Sequence, residues 1–125
     1  MKLKNVLIAV KNMERAVSFY KELFGLQVVL DQGENVILTE GLVLQDAALW
    51  EEGLGREIVP ENNGAELYFE EPDLEGFIRK LENRGETVRW VTPLTADGAG
   101  RKLGRVYDPD GNLIEVREPA QRQVF

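Results

Sequence analysis

The stretch Tyr107-Asp108-Pro109-Asp110-Gly111-Asn112-Leu113-Ile114-Glu115-Val116 joins a tight turn to a short alternating strand that carries one acid. Pro109 presets φ near about −65°, the Asp side chains can accept from nearby backbone amides, and Gly111 supplies the positive φ that a branched residue adopts only at a cost. In the run from Asn112 to Arg117, Leu113, Glu115 and Arg117 share one face, and Asn112, Ile114 and Val116 share the other. Ile114 and Val116 belong to a core. Glu115 therefore projects from the opposite face near the middle of a sheet, where a carboxylate is costly unless it meets a cation, a proton or water. It is the first candidate functional residue.

Upstream of this hairpin, the chain from Ala65 reads as a strand to Glu70, a helix cap at Asp73, an amphipathic helix bearing Leu74, Phe77, Ile78 and Leu81, and a stop at Gly85. Three strands follow, at Thr87 to Val91, Lys102 to Tyr107 and Asn112 to Arg117, with Thr92 to Gly100 as a glycine-containing loop. The first part of the chain has the same order. Leu3 to Val10 reads as a strand and Asn12 as a cap. Met13, Ala16, Val17, Tyr20, Leu23 and Phe24 form one apolar helical stripe, and Gly25 stands where a left-handed stop belongs. Strands are expected at Leu26 to Leu30, Asn35 to Thr39 and Leu42 to Leu49, and Trp50 to Gly64 reads as a linker. An offset of 61 carries Asn12 to Asp73, Met13 to Leu74, Ala16 to Phe77, Val17 to Ile78 and Tyr20 to Leu81, which marks an internal repeat. The expected fold class is α+β. One domain over 1–125 is made of two βαβββ units, 3–49 and 65–118, with a linker at 50–64 and a tail at 119–125.

Composition removes several functions. The chain has 125 residues, no Cys and no His, so thiol nucleophiles, thiolate metal sites and the commonest general base are all absent. A net charge of −7 argues against nucleic acid and favours neutral or cationic small ligands. No apolar run approaches the roughly 18 residues of a membrane span, and the basic start Met1-Lys2-Leu3-Lys4-Asn5 leads into a helix rather than a cleavage site. A cytoplasmic protein is expected.

The offset of 61 also carries Asn5 to Glu66. Gly41 precedes Gln45 by four residues, as Gly111 precedes Glu115, which pairs those two positions on glycine spacing alone. Asn5, Gln45, Glu66 and Glu115 are expected to converge on one cavity inside a curved mixed sheet, with Tyr68 beside Glu66 on the same strand face. As ordinary structure, Glu115 would instead pair with Arg117, Arg89 or Arg105 on neighbouring strands. If Glu66 and Glu115 repel each other across a cavity, replacing either by Gln leaves the melting temperature unchanged or raises it.

The chain resembles the vicinal oxygen chelate superfamily of glyoxalase I, bleomycin-resistance proteins and extradiol dioxygenases. The resemblance spans Leu3 to Glu118 and is carried by the Asn12 to Gly25 helix with Ser18-Phe19-Tyr20, the exit Phe24-Gly25-Leu26, and the ending Asp108-Pro109-Asp110-Gly111-Asn112-Leu113-Ile114-Glu115. It implies a homodimer and, in metal-dependent members, a divalent ion held at the positions of Asn5, Gln45, Glu66 and Glu115. Those members generally have His where this chain has Asn5 and Glu66. Only oxygen ligands remain, which suit Mg, Mn or Ca and disfavour Zn, Ni and Fe. Three functions are open: metal-free binding of a small organic molecule, as in bleomycin-resistance proteins; a metal-dependent lyase, isomerase or dioxygenase of the lactoylglutathione-lyase or dioxygenase kind; and metal-free acid/base catalysis by Glu66 and Glu115.

Overall fold

Each half of the chain folds as a strand, a helix and three further strands. The structure, a computed structural model, describes residues 1–120, so the last five residues of the expected 119–125 tail lie outside the described residues. The chain divides into two units, Met1–Pro60 and a second beginning at Glu61. The first contains β1 (Val6–Val10), α1 (Met13–Phe24), β2 (Val28–Asp31), β3 (Asn35–Leu38), β4 (Leu42–Asp46) and α2 (Ala47–Leu54). The second contains β5 (Leu67–Glu70), α3 (Leu74–Glu82), β6 (Trp90–Ala96), β7 (Lys102–Tyr107) and β8 (Leu113–Arg117). The sheets have equivalent strand orders, β1-β4-β3-β2 and β5-β8-β7-β6. In each, the first strand pairs in parallel with the last and the other pairs are antiparallel.

The helix ends follow from local chemistry. The Asn12 side chain accepts from the Arg15 amide at 3.0 Å, and the Gly25 amide donates to the Lys21 carbonyl at 3.1 Å. The buried face of α1 is Ala16, Phe19, Tyr20 and Leu23, with Phe19 set edge-on to Tyr20 at 5.1 Å. This face is rotated from the expected stripe: Met13 and Val17 are only half-buried. Replacing Asn12 by Ala orphans a donor of the first turn, and we expect a loss of about 1 kcal/mol, seen as a lower urea midpoint at unchanged slope.

Two expected elements differ. The strand expected to reach Leu49 stops at Asp46, whose carboxylate accepts from the Leu49 amide at 3.0 Å and so caps α2. The helix then occupies the start of the expected linker, because Ala47, Ala48 and Leu49 are good helix formers following a cap. In the second unit, the loop expected at Thr92 to Gly100 is mostly strand. β6 lies at the outer position of its sheet, where a proline such as Pro93 is tolerated, and the pairing with β7 shifts register between Trp90 and Thr92 and between Thr92 and Thr95. The turn itself is short: the Asp97 carboxylate accepts from the Ala99 and Arg101 amides, both at 2.9 Å.

The opening hairpin forms as its residues dictate. Asp108, fully buried, accepts through Oδ1 from the Asp110 and Asn112 amides and through Oδ2 from the Asn112 side chain, each at 2.9 Å. Gly111 takes φ 85°, a left-handed conformation that a side chain would strain. Ile114 and Val116 are buried, as the alternation requires. On β7, Gly104 lies under Trp90, and a Cβ there would come within 3.1 Å of the indole. Trp90 is thus a packing residue for this sheet.

Candidate functional site

Glu115 sits on β8, the strand flanked by β5 and β7. Its direct neighbours are Tyr68 on β5 and Arg105 on β7, so the cross-strand row reads Tyr68, Glu115, Arg105. The carboxylate is 4% exposed and fully partnered: Oε1 meets Arg105 Nη2 at 2.6 Å, and Oε2 accepts from Arg117 Nε at 3.0 Å. Arg105 has two further oxygen neighbours. Its Nε lies 3.8 Å from Glu66 Oε2, and its Nη1 donates to Thr92 Oγ1 at 3.2 Å. Glu66 and Glu115 therefore flank one guanidinium. The anticipated repulsion between two bare carboxylates is corrected by this geometry, because each acid faces a fixed positive charge.

A second layer orients these groups. Arg117 Nη1 pairs with Asp97 Oδ2 at 2.6 Å, tying the β6–β7 turn to β8. The hydrogen bond to Glu115 raises the Arg117 pKa further above its ordinary value, so its charge is permanent. Burial pushes the Asp97 carboxyl up, but the amides of Arg101 and Ala99 and the charge of Arg117 outweigh it and hold the group below the usual carboxylate range. Arg101 donates to the Glu118 carbonyl at 2.6 Å, to Glu70 Oε2 at 3.1 Å and to the Tyr68 hydroxyl at 3.2 Å. Tyr68 is half exposed yet tethered at its hydroxyl. Arg89, the other proposed partner of Glu115, instead pairs with Glu61 and lies 5.2 Å over the Tyr107 ring.

The first unit fills the same row differently. There β1, β4 and β3 align Leu7, Val43 and Ile37. Because Val6 pairs with Leu42 and Leu67 with Ile114, the place of Glu115 belongs to Val43, and Gln45 stands where the second unit has Arg117. The expected equivalence of Gln45 with Glu115 is thus off by two residues. Gly41 directly precedes the first paired residue, Leu42, whereas Asn112 and Leu113 separate Gly111 from Ile114, so glycine spacing misjudged the register. Gln45 accepts from Asn35 at 2.8 Å, while Asn5 donates to the Gly41 carbonyl at 3.2 Å. Gln45 lies opposite Ala9, four residues along β1 from Asn5 and hence about 13 Å away, so the pair does not meet within this unit. A concavity of about 430 Å³ between α1 and the β2–β3 turn is lined by Met13, Val17, Ser18, Lys21, Asp31 and Gly33, among others, and by none of the expected site residues.

Residues 3–121 match the family described as the glyoxalase-like domain. This chain belongs to the glyoxalase-like domain family. Through it the protein falls in the glyoxalase/bleomycin-resistance/dioxygenase, or vicinal oxygen chelate, superfamily. Among solved structures, it is similar to a protein of unknown function from Agrobacterium tumefaciens str. C58, with 28% identity over 96% of this chain and 95% of that one at a TM-score of 0.79. A glyoxalase-related enzyme from Fulvimarina pelagi is 21% identical over 94% and 88%, with a TM-score of 0.77. A superfamily member from Sphaerobacter thermophilus DSM 20745 is 22% identical over 95% and 98%, with a TM-score of 0.70. The last two speak for the fold alone.

Glyoxalase-like domains are often metal-dependent, so the fit of a metal to this member's side chains is a fair test. The donors fit poorly. The chain has no His or Cys, and among the described residues no group of three or more Asp or Glu is placed to hold an ion. Where Glu66 and Glu115 come together, Arg105 already supplies the positive charge. Among the described residues, no helix is long and apolar enough to cross a membrane. Sequence reasoning named Arg105 and Arg117 only as dull partners and missed Thr92 and Asp97, which it had assigned to a loop.

Proposed function

We propose that this glyoxalase-like protein binds a small organic cation without a metal ion, on the face of the second unit that carries Glu66 and Tyr68. The observation that carries the reading is the Arg105 guanidinium between Glu66 and Glu115, which fills by covalent means the role of a bound cation. Glu66 retains capacity. Its contact with Arg105 is long, at 3.8 Å, and its side chain is 36% exposed. Tyr68, two residues on and so on the same strand face, offers an exposed ring whose hydroxyl is held by Arg101. A carboxylate beside a fixed aromatic face suits an ammonium group, the ring contributing about 0.5–2 kcal/mol. Four carboxylates, Glu66, Glu70, Asp97 and Glu115, meet three guanidinium groups, Arg101, Arg105 and Arg117, so this cluster keeps an excess of negative charge.

Thermal melts with a panel of quaternary ammonium and aromatic amine compounds, all in the presence of chelator, test this. A ligand at about 100 times its dissociation constant should stabilise the protein by roughly 2.7 kcal/mol. Glu66→Gln and Tyr68→Ala should each weaken that response. Stabilisation that requires a divalent ion, or that comes from organic anions only, would reject the reading.

A further inference from the structure

We infer that Arg105 is a built-in occupant of a divalent-cation position, and that removing its guanidinium opens a site for a hard cation between Glu66, Thr92 and Glu115. The inference rests on the metal-free part of the proposed function. It is read out with metal ions alone, so it can fail while binding of organic cations stands, and the reverse.

Each nitrogen of the Arg105 guanidinium faces one oxygen: Nε faces the Glu66 carboxylate at 3.8 Å, Nη1 the Thr92 hydroxyl at 3.2 Å, and Nη2 the Glu115 carboxylate at 2.6 Å. Two carboxylates and a hydroxyl around a positive centre form an oxygen set of the kind Mg, Mn and Ca prefer, and one without the nitrogen or sulfur that Zn favours. A second feature preserves the set when Arg105 is shortened. Glu115 Oε2 is held by Arg117, which Asp97 holds in turn, so Oε1 stays aimed at the vacated space. The vacated space also loses the nearer of the two guanidinium charges on Glu115, while Arg117 stays on the far oxygen. The first unit offers no such site, since the same row there is Leu7, Val43 and Ile37.

The test is titration of Mn²⁺ and Ca²⁺ into wild type, Arg105→Ala, Arg105→Lys and the double variant Arg105→Ala with Glu66→Gln, followed by calorimetry, melting temperature and, for Mn²⁺, loss of the free-ion paramagnetic signal. Arg105→Ala should bind Mn²⁺ at least roughly tenfold more tightly than wild type, because a fixed positive charge beside the ion has gone. Arg105→Lys should remain as weak as wild type. The double variant should lose the gain. If Arg105→Ala is unfolded without ions, recovery of its cooperative melt by Mn²⁺ supports the same conclusion, and Arg105→Gln repeats the titration with less disturbance of Glu115. The proposal is overturned if folded Arg105→Ala or Arg105→Gln binds no better than wild type, or if neither folds even with the ion present. It is also overturned if wild type binds Mn²⁺ tightly through Glu66 and Glu115.

Discussion

Glu115→Gln should lower stability by about 3 kcal/mol, or roughly 10 °C in melting temperature for a chain of this size. The carboxylate is 4% exposed and satisfies two arginines, so a neutral amide leaves Arg105 and Arg117 facing a partner that cannot return their charge. Breaking a buried ion pair by removing one member costs about 3–5 kcal/mol. The lower end applies here because the Arg105 side chain is 32% exposed, so water can take over part of its solvation. Differential scanning calorimetry of the variant without ligand checks it. An unchanged or raised melting temperature would restore the picture of two mutually repelling acids drawn from sequence and would remove the pairing on which the proposed site depends.

A loss of similar size, about 3 kcal/mol, is expected for Asp108→Ala at the turn between β7 and β8. The side chain is wholly buried and accepts three hydrogen bonds, from two amides and from the Asn112 side chain. Each buried donor left unsatisfied costs about 1–3 kcal/mol, and the partial exposure of Asp110 and Asn112 lets water recover some of that. Asp108→Asn should recover only part of the loss. The neutral amide keeps an oxygen for the two backbone donors but loses the charge assistance of the carboxylate, and its NH₂ finds an acceptor only if the Asn112 carboxamide turns over. Guanidinium denaturation of the two variants beside wild type gives the ranking directly, and equal stability of Ala and wild type would show that the turn owes nothing to this carboxylate.

The parts of this structure legible in the sequence are those fixed by near neighbours along the chain. Asn12, Asp73 and Gly25 marked helix ends because caps act over three or four residues. Lys102 to Tyr107 was bounded correctly as a strand, and the offset of 61 between halves gave the repeat. What misled the reading depends on partners far along the chain. Asp46 serves equally well as the end of a strand or the cap of a helix, and α2 was lost because the pattern before it looked continuous. The glycines of Thr92 to Gly100 pointed to a loop, whereas β6 runs on to Ala96 at an outer position that only the sheet order reveals, and where Pro93 is tolerated. Among the candidate site residues, Glu115 was picked out by strand alternation, Glu66 by the offset of 61 from Asn5, and Tyr68 by sharing the strand face of Glu66. The role of Arg105 was not legible, since its guanidinium reaches residues 39 and 13 positions back and 10 positions ahead, and nothing local shows which of several acids it will face.

The row of Leu7, Val43 and Ile37 gives the molecule its own matched control. The same strand order is built twice in one chain, once with an aliphatic filling and once with Tyr68, Glu115 and Arg105 at the corresponding places. The architecture therefore makes no demand for charge at this point, because one copy does without any. Losing half of the pair harms the fold, but lacking the whole pair from the outset does not, since aliphatic packing commonly stabilises as well as a buried ion pair of similar volume. The charged row is thus an elective feature of the second sheet, carried by a strand order that the first sheet completes without it.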